Sequence, residues 1–230
     1  MGLTSRVRAG LLGALSVAVL TACGSSQHAI AQPNAVDVGF CQDMGTHHAQ
    51  ALLMSQLALK DGTSQVSDIA SAILSSQAQE IGALRGWLLV WGRPAVDPTP
   101  MGWMAARPST APSGSMSPMV GMSDMPGMSG MAMPSGGPTT GSMDYAPMPG
   151  MATPAQMIRL TNARGKAFDI LFAQLMIRHH LGGIAMDKAA IAQGASALVA
   201  QLADQEINEQ FQDIAYLTAV LRAYGVKVSS

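Results

Sequence analysis

The chain has 230 residues, a formal net charge of −1 and only 12% charged residues. No basic patch or stripe occurs, which excludes nucleic acid as a partner on electrostatic grounds. There are two cysteines, five histidines and 18 methionines, but neither a Ser-His-Asp signature nor a phosphate-binding loop, so nucleophilic catalysis and nucleotide chemistry find no support.

From the start of the chain, residues 1–22 predict an export signal. Arg6 and Arg8 precede the apolar run "AGLLGALSVAVL" at 9–20. That run is too short for a bilayer span, which needs roughly 20 residues, and suits a signal h-region. It leads into Leu20-Thr21-Ala22-Cys23, which resembles the lipobox of bacterial lipoproteins. The resemblance implies cleavage before Cys23, a lipid on its sulfur, and a mature protein anchored on the extracytoplasmic face of the membrane. With Cys23 lipidated only Cys41 remains, so no intrachain disulfide forms.

After a tether over 23–36, residues 37–92 predict a helical hairpin. The first helix covers about 37–60 and ends at Lys60-Asp61-Gly62, with a cation in the last turn and a glycine after it. The second covers about 64–91 and stops at Gly92-Arg93-Pro94. Residues 93–152 are rich in Met, Pro, Gly and Ser without helical or strand period, and predict a disordered linker. A second helical region spans 153–228. Thr153-Pro154-Ala155-Gln156 has the chemistry of an N-cap with Pro at N1 and Gln at N3. A short helix follows to near Gly165, then a long one over about 167–192 and a last one over about 196–224.

The two regions are copies. Asp37, Phe40, Met44, His47, His48 and Met54 recur as Asp169, Phe172, Met176, His179, His180 and Met186, each 132 positions later. Beyond the turn the offset becomes 133, pairing Gln77, Glu80, Ile81 and Leu84 with Gln210, Asp213, Ile214 and Leu217. A duplicated hairpin with a one-residue change in its turn explains both offsets. The expected fold is all-α: a four-helix bundle from two hairpins that form one domain.

On a helical wheel, Asp37, Phe40, Met44, His47, His48, Ala51 and Met54 fall in an arc of about 120°, the width of a core-facing stripe. Adjacent histidines lie about 100° apart and do not suit a single ion. Within a helix the better ligand pairs are Met44 with His48 and Met176 with His180, four apart. Facing one another, they offer two imidazoles and two thioethers, a donor set for copper, above all Cu(I). Met54, Met186, His47 and His179 border this set, and Cys41 is a weaker candidate in the first copy only, where the second has Ala173. The alternative is that the histidines are structural core residues, since duplication copies those as faithfully as ligands.

In the linker, Met116, Met119, Met122, Met125, Met128 and Met131 recur every three residues. That period fits polyproline II, with all six sulfurs along one edge, and suits several weak, exchangeable soft-metal sites.

The block Phe-x3-Met-x2-His-His-x5-Met, with Phe168-Asp169 and the later Gln77-x2-Glu80-Ile81, resembles the DUF305 family of bacterial extracytoplasmic proteins. The first copy departs at Gly45 and the second at Asp213, where glutamate is usual. The resemblance implies a ferritin-like helical bundle and, from some members, copper binding and tolerance. The expected function is a lipid-anchored copper-binding or sequestering protein and not an enzyme. Its partners would be the membrane, metal ions, other copper-handling proteins and other copies of itself. Two alternatives remain: an envelope structural or interaction module, and a ferritin-like di-metal oxidoreductase. The latter is disfavoured because its usual Glu-x-x-His motif is absent.

Overall fold

In a computed structural model, residues 32–105 and 148–227 are described. They are all-α. Helix α1 (Ala35–Asp61) opens with a capping box between Asn34 and Asp37, and α2 (Ser64–Val90) is capped by the Thr63 hydroxyl. A single turn, α3 (Gly102–Ala105), follows. Helix α4 (Pro154–Asn162) has both halves of the capping box between Thr153 and Gln156, with Pro154 in the first turn. Helices α5 (Gly165–Ala192) and α6 (Ala197–Ala223) complete the bundle. No helix among the described residues is long and apolar enough to cross a membrane.

Helices α1 and α2 form one hairpin and α5 and α6 the other, and the hairpins meet mainly through α1 and α5. The duplication shows in how each copy caps the other. Asp37, at the start of α1, accepts the Ser196 N–H at 2.7 Å, just ahead of α6. Asp169, at the start of α5, accepts the Thr63 N–H at 2.9 Å, just ahead of α2. The start of each long helix thus lies beside the end of the other, so α1 and α5 run antiparallel about an approximate two-fold axis.

The core has two apolar clusters. One holds Phe40, Cys41, Met44, Leu84, Leu88, Met186 and Ala203; the other holds Met54, Ile73, Phe168, Phe172, Met176 and Leu217. Each fully buried Phe or Leu contributes about 1.5–3 kcal/mol relative to exposure. In both α1 and α5 the histidine pair sits between the two clusters, so a polar layer divides the core.

The ends of the expected linker are part of the fold, not disordered. Trp103 is buried edge-on against Phe40, with ring centroids 5.9 Å apart. The Trp103 Nε1–H and the Met101 N–H both donate to Asp43 Oδ2, at 2.9 and 2.7 Å. Residues 148–152 return along the other side of the histidine layer, where Gln50 makes two hydrogen bonds to the Ala152 backbone. Apolar anchors at Trp103, Met148 and Ala152, all buried, outweigh the loop-like composition around them.

Candidate metal centre

All seven arc residues of α1 (Asp37, Phe40, Met44, His47, His48, Ala51 and Met54) are 0% exposed, as are Asp169, Phe172, Met176, His179, His180 and Met186 of α5. The stripe read from the wheel is therefore the seam between the copies.

The histidines divide differently from the sequence expectation. His47 and His179 meet across the two-fold, with rings stacked at a centroid distance of 3.8 Å. Neighbours within a pair stand apart, at 6.2 Å for His47 and His48 and 6.3 Å for His179 and His180. His47 Nε2 lies 3.0 Å from the Pro149 carbonyl and His179 Nε2 lies 3.1 Å from the His47 carbonyl. A carbonyl only accepts, so each Nε2 carries the proton and donates. Burial, then the charge of His48, pulls the His47 imidazole down to about 3. Burial, then His47, pulls His179 well below the ordinary range. Both rings are therefore neutral at pH 7, and each Nδ1 holds a bare lone pair. Neither Nδ1 has a hydrogen-bond partner.

His48 and His180 point outward to the second helix of each hairpin. His180 Nε2 lies 2.9 Å from Asp213 Oδ2 on α6. His48 Nε2 lies 2.9 Å from Glu80 Oε2 on α2 and 3.5 Å from Glu206 Oε1 on α6. One ligand atom from each of His48, Glu80 and Glu206 lies within 4.8 Å of the others. For His48, burial alone would lower the imidazole; the charge and closeness of Glu206, then of Glu80, reverse this and hold it at about 9. Asp187 lies beside them, pushed well up by burial first and Glu206 second.

Sequence reasoning, which looked for Glu-x-x-His, missed the convergence of these carboxylates. A signal was available. Glu80 and Asp213 follow His48 and His180 by 32 and 33 residues, so an acid recurs at matching places. Glu206 interrupts the buried stripe of α6.

The thioethers pair crosswise. Met44 lies in one cluster with Met186 and Cys41, and Met176 lies in the other with Met54. The expected Met44–His48 unit facing Met176–His180 is thus not what antiparallel packing assembles. Cys41 is buried, and burial first, then Asp37 and Glu206, pushes its thiol far above the ordinary range. Cys23 and Met116, Met119, Met122, Met125, Met128 and Met131 lie outside the described residues.

The sequence pattern of the family described as "Domain of unknown function (DUF305)" matches residues 37–221. The chain belongs to the DUF305 family. Solved structures agree. A DUF305 protein from Streptomyces coelicolor is 27% identical, with a TM-score of 0.64 over 85% of this chain and 97% of that one. A DUF305 fragment from Deinococcus radiodurans is 25% identical, with a TM-score of 0.59 over 84% and 99%. CopM, described in a Cu(II)-bound form, shares the fold at 21% identity, with a TM-score of 0.54 over 82% and 97%. No curated protein matches the chain.

Proposed function

We propose that this DUF305 protein binds copper, Cu(I) above all, outside the cytoplasm. In this reading it is held to the membrane by a lipid on Cys23 and sequesters the ion without catalysing a reaction. One observation carries the reading: His47 and His179 each tie Nε2–H to a backbone carbonyl and leave a buried, unpartnered Nδ1. Metal-ligating histidines characteristically donate their other ring N–H to such an acceptor, which fixes the tautomer and makes the ligand more basic. Four fully buried methionines on the same helices supply soft neutral donors. CopM, a protein of the same fold, is described in Cu(I)- and Ag-bound forms. The methionines at 116–131 would offer weaker capture sites.

The test is titration of the metal-free mature protein with Cu(I) against a competing chelator. Replacing His47 and His179 by Ala, or Met44 and Met186 by Leu, should weaken binding by about tenfold or more. Equal affinity in all three proteins would remove the reading. The His180–Asp213 contact favours a second one, an envelope module with structural histidines, which predicts a melting temperature indifferent to copper.

A further inference from the structure

The two copies pair their outward histidines differently, and the difference is chemical. His180 faces one acid, Asp213, in an ordinary hydrogen bond at 2.9 Å. His48 faces its counterpart Glu80 and, in addition, Glu206. At the 133-residue offset, the position matching Glu206 in the first copy is Ile73; at the 132-residue offset, Asp187 matches Ser55. Ile73 is fully buried in apolar packing, so the fold does not need an acid at this place. One end of the bundle fills these two positions with Ile73 and the uncharged Ser55, and the other buries two extra carboxyl groups in them.

Those groups have few and long polar contacts: Gln210 Nε2 lies 3.5 Å from Asp187 Oδ2 and His48 Nε2 lies 3.5 Å from Glu206 Oε1. Glu206 and Asp187 are 0% exposed. Neither Glu206 oxygen, nor Asp187 Oδ1, nor His48 Nε2 has a well-aligned hydrogen bond, although His48 Nε2 lies close to both glutamates. Among the described residues, no lysine or arginine is paired with Glu80 or Glu206. An isolated buried carboxylate costs several kcal/mol unless a cation or hydrogen bonds compensate. Close approach without alignment is what donors show when they converge on a point between them.

The spacing fits an ion at that point. A first-row divalent ion holds nitrogen and carboxylate oxygen at roughly 2.0–2.2 Å, which in a tetrahedron places donors roughly 3.3–3.6 Å apart. The contacts from His48 Nε2, at 2.9 and 3.5 Å, lie at and just below that spacing. The three ligands come from α1, α2 and α6, so the bundle itself sets their separation.

The geometry points to a buried site for a divalent first-row cation at His48, Glu80 and Glu206, with Asp187 as the adjoining acid. It is distinct from the thioether sites proposed for Cu(I). One imidazole with carboxylates is a hard-to-borderline donor set, suited to Zn(II), Co(II) or Cu(II) and unsuited to Cu(I). Glu80, with 8% of its side chain exposed, is the member that reaches the surface, between α2 and α6.

Co(II) alone is the probe. The metal-free mature chain is titrated with Co(II) and followed by its visible ligand-field absorption, with Zn(II) then used to displace it. The wild type should bind one Co(II) per chain at this site, and Zn(II) should bleach the band. Glu206→Ile installs the residue that the other copy carries, and Glu206→Gln removes the charge while keeping the shape. Circular dichroism melts check that both fold. Loss of an outer-shell partner already weakens metal sites 10–100-fold, so loss of a ligand should weaken Co(II) binding about a hundredfold. Asp213→Asn, at the other end, should leave Co(II) binding unchanged, and Cu(I) affinity should be the same in Glu206→Ile as in wild type. No Co(II) band in the wild type, or an undiminished band in either folded Glu206 variant, would overturn the proposal. Neither result would touch the Cu(I) reading, which has its own variants.

Discussion

Gly182 is a point where helix propensity and tertiary packing make opposite predictions for one substitution. It lies inside α5, two residues after His180, where glycine is worth about 1 kcal/mol less than alanine. Propensity alone therefore predicts that Gly182→Ala stabilises the protein. The sequence suggests that such a glycine admits a neighbouring backbone, with the partner helix as the first candidate. The neighbour is instead the returning end of the linker. A Cβ on Gly182 would lie 2.0 Å from the Pro149 carbonyl oxygen and 2.8 Å from Gly150 Cα. Gly150 takes φ 78° to make this approach, so the segment has little freedom to turn aside. Reaching ordinary contact near 3.4 Å requires a shift of about 1.4 Å. That shift opens the His47–Pro149 hydrogen bond from 3.0 Å to beyond bonding reach. Overpacking costs about 1–3 kcal/mol, and a buried donor left unpaired costs about another 1–3 kcal/mol. Set against the propensity gain of about 1 kcal/mol, the net is about 1–5 kcal/mol of destabilisation. For a domain of this size that is a fall in Tm of roughly 2–20 °C. Gly82→Ala and Gly86→Ala are the controls, because nothing lies within 4 Å of a Cβ at either position. They should gain up to about 1 kcal/mol. Thermal melts by circular dichroism decide the matter. A Gly182→Ala protein as stable as the Gly82→Ala control would refute the packing argument, and with it the claim that residues 149–150 hold His47 in place.

Asp169, the imidazoles of His47, His179 and His48, and Cys41 carry the remaining predictions. Asp169 accepts from the Thr63 N–H at 2.9 Å, from the Thr63 hydroxyl and from the Tyr224 hydroxyl at 2.5 Å, so Asp169→Ala should cost at least about 2 kcal/mol in denaturant unfolding; a loss below about 0.5 kcal/mol would contradict the cross-capping role. In chelator, His47 and His179, with imidazoles below their unfolded value near 6.5, take up protons only on unfolding, so stability should fall as pH drops from 6.5 toward about 3. The His47→Gln/His179→Gln protein should show a shallower decline of Tm over that range, and parallel curves would refute the assignment. His48, held at about 9, acts in the opposite sense: its contribution is full below about 6.5 and lost as pH rises through 9. Cys41, buried with its thiol pushed up, should resist iodoacetamide at about pH 8 in the native protein and react fully in denaturant, as mapped by peptide mass.

The sequence made the fold legible because the signals were periodic and repeated. The arc from Asp37 to Met54 needed only the helical angle, and every member is buried. The capping box at Thr153 and Gln156 was readable from four residues and forms as expected. What escaped were contacts set by the relation between helices. Periodicity places Met44 and His48 on one face, but it does not say that α1 and α5 run antiparallel. That relation gives Met44 the company of Met186 and leaves Met176 with Met54. It also brings His47, not His48, to the two-fold. The linker ends escaped for another reason. Composition averaged over 93–152 hides three apolar anchors, Trp103, Met148 and Ala152, and one buried acid, Asp43, supplies the hydrogen bonds that seat the first of them.

The duplication explains both what the copies share and where they part. Residues at the axis meet their own counterparts, so any change at His47 or His179 alters one shared centre, and both copies keep the imidazole. Residues away from the axis meet different neighbours at the two ends and are free to diverge independently. Divergence is found there: Glu206 against Ile73, and Asp187 against Ser55. A buried acid carries a desolvation cost wherever it sits, which the His48 imidazole 3.5 Å from Glu206 offsets only in part. Its presence at one end, with hydrocarbon at the other, is therefore difficult to assign to folding, which the Ile73 end accomplishes without it. The physical asymmetry singles out the His48 end as the place built for a ligand, and Glu206→Ile tests that statement. It should abolish the divalent site and, in the metal-free protein, shrink the loss of stability that otherwise accompanies the rise of pH through 9.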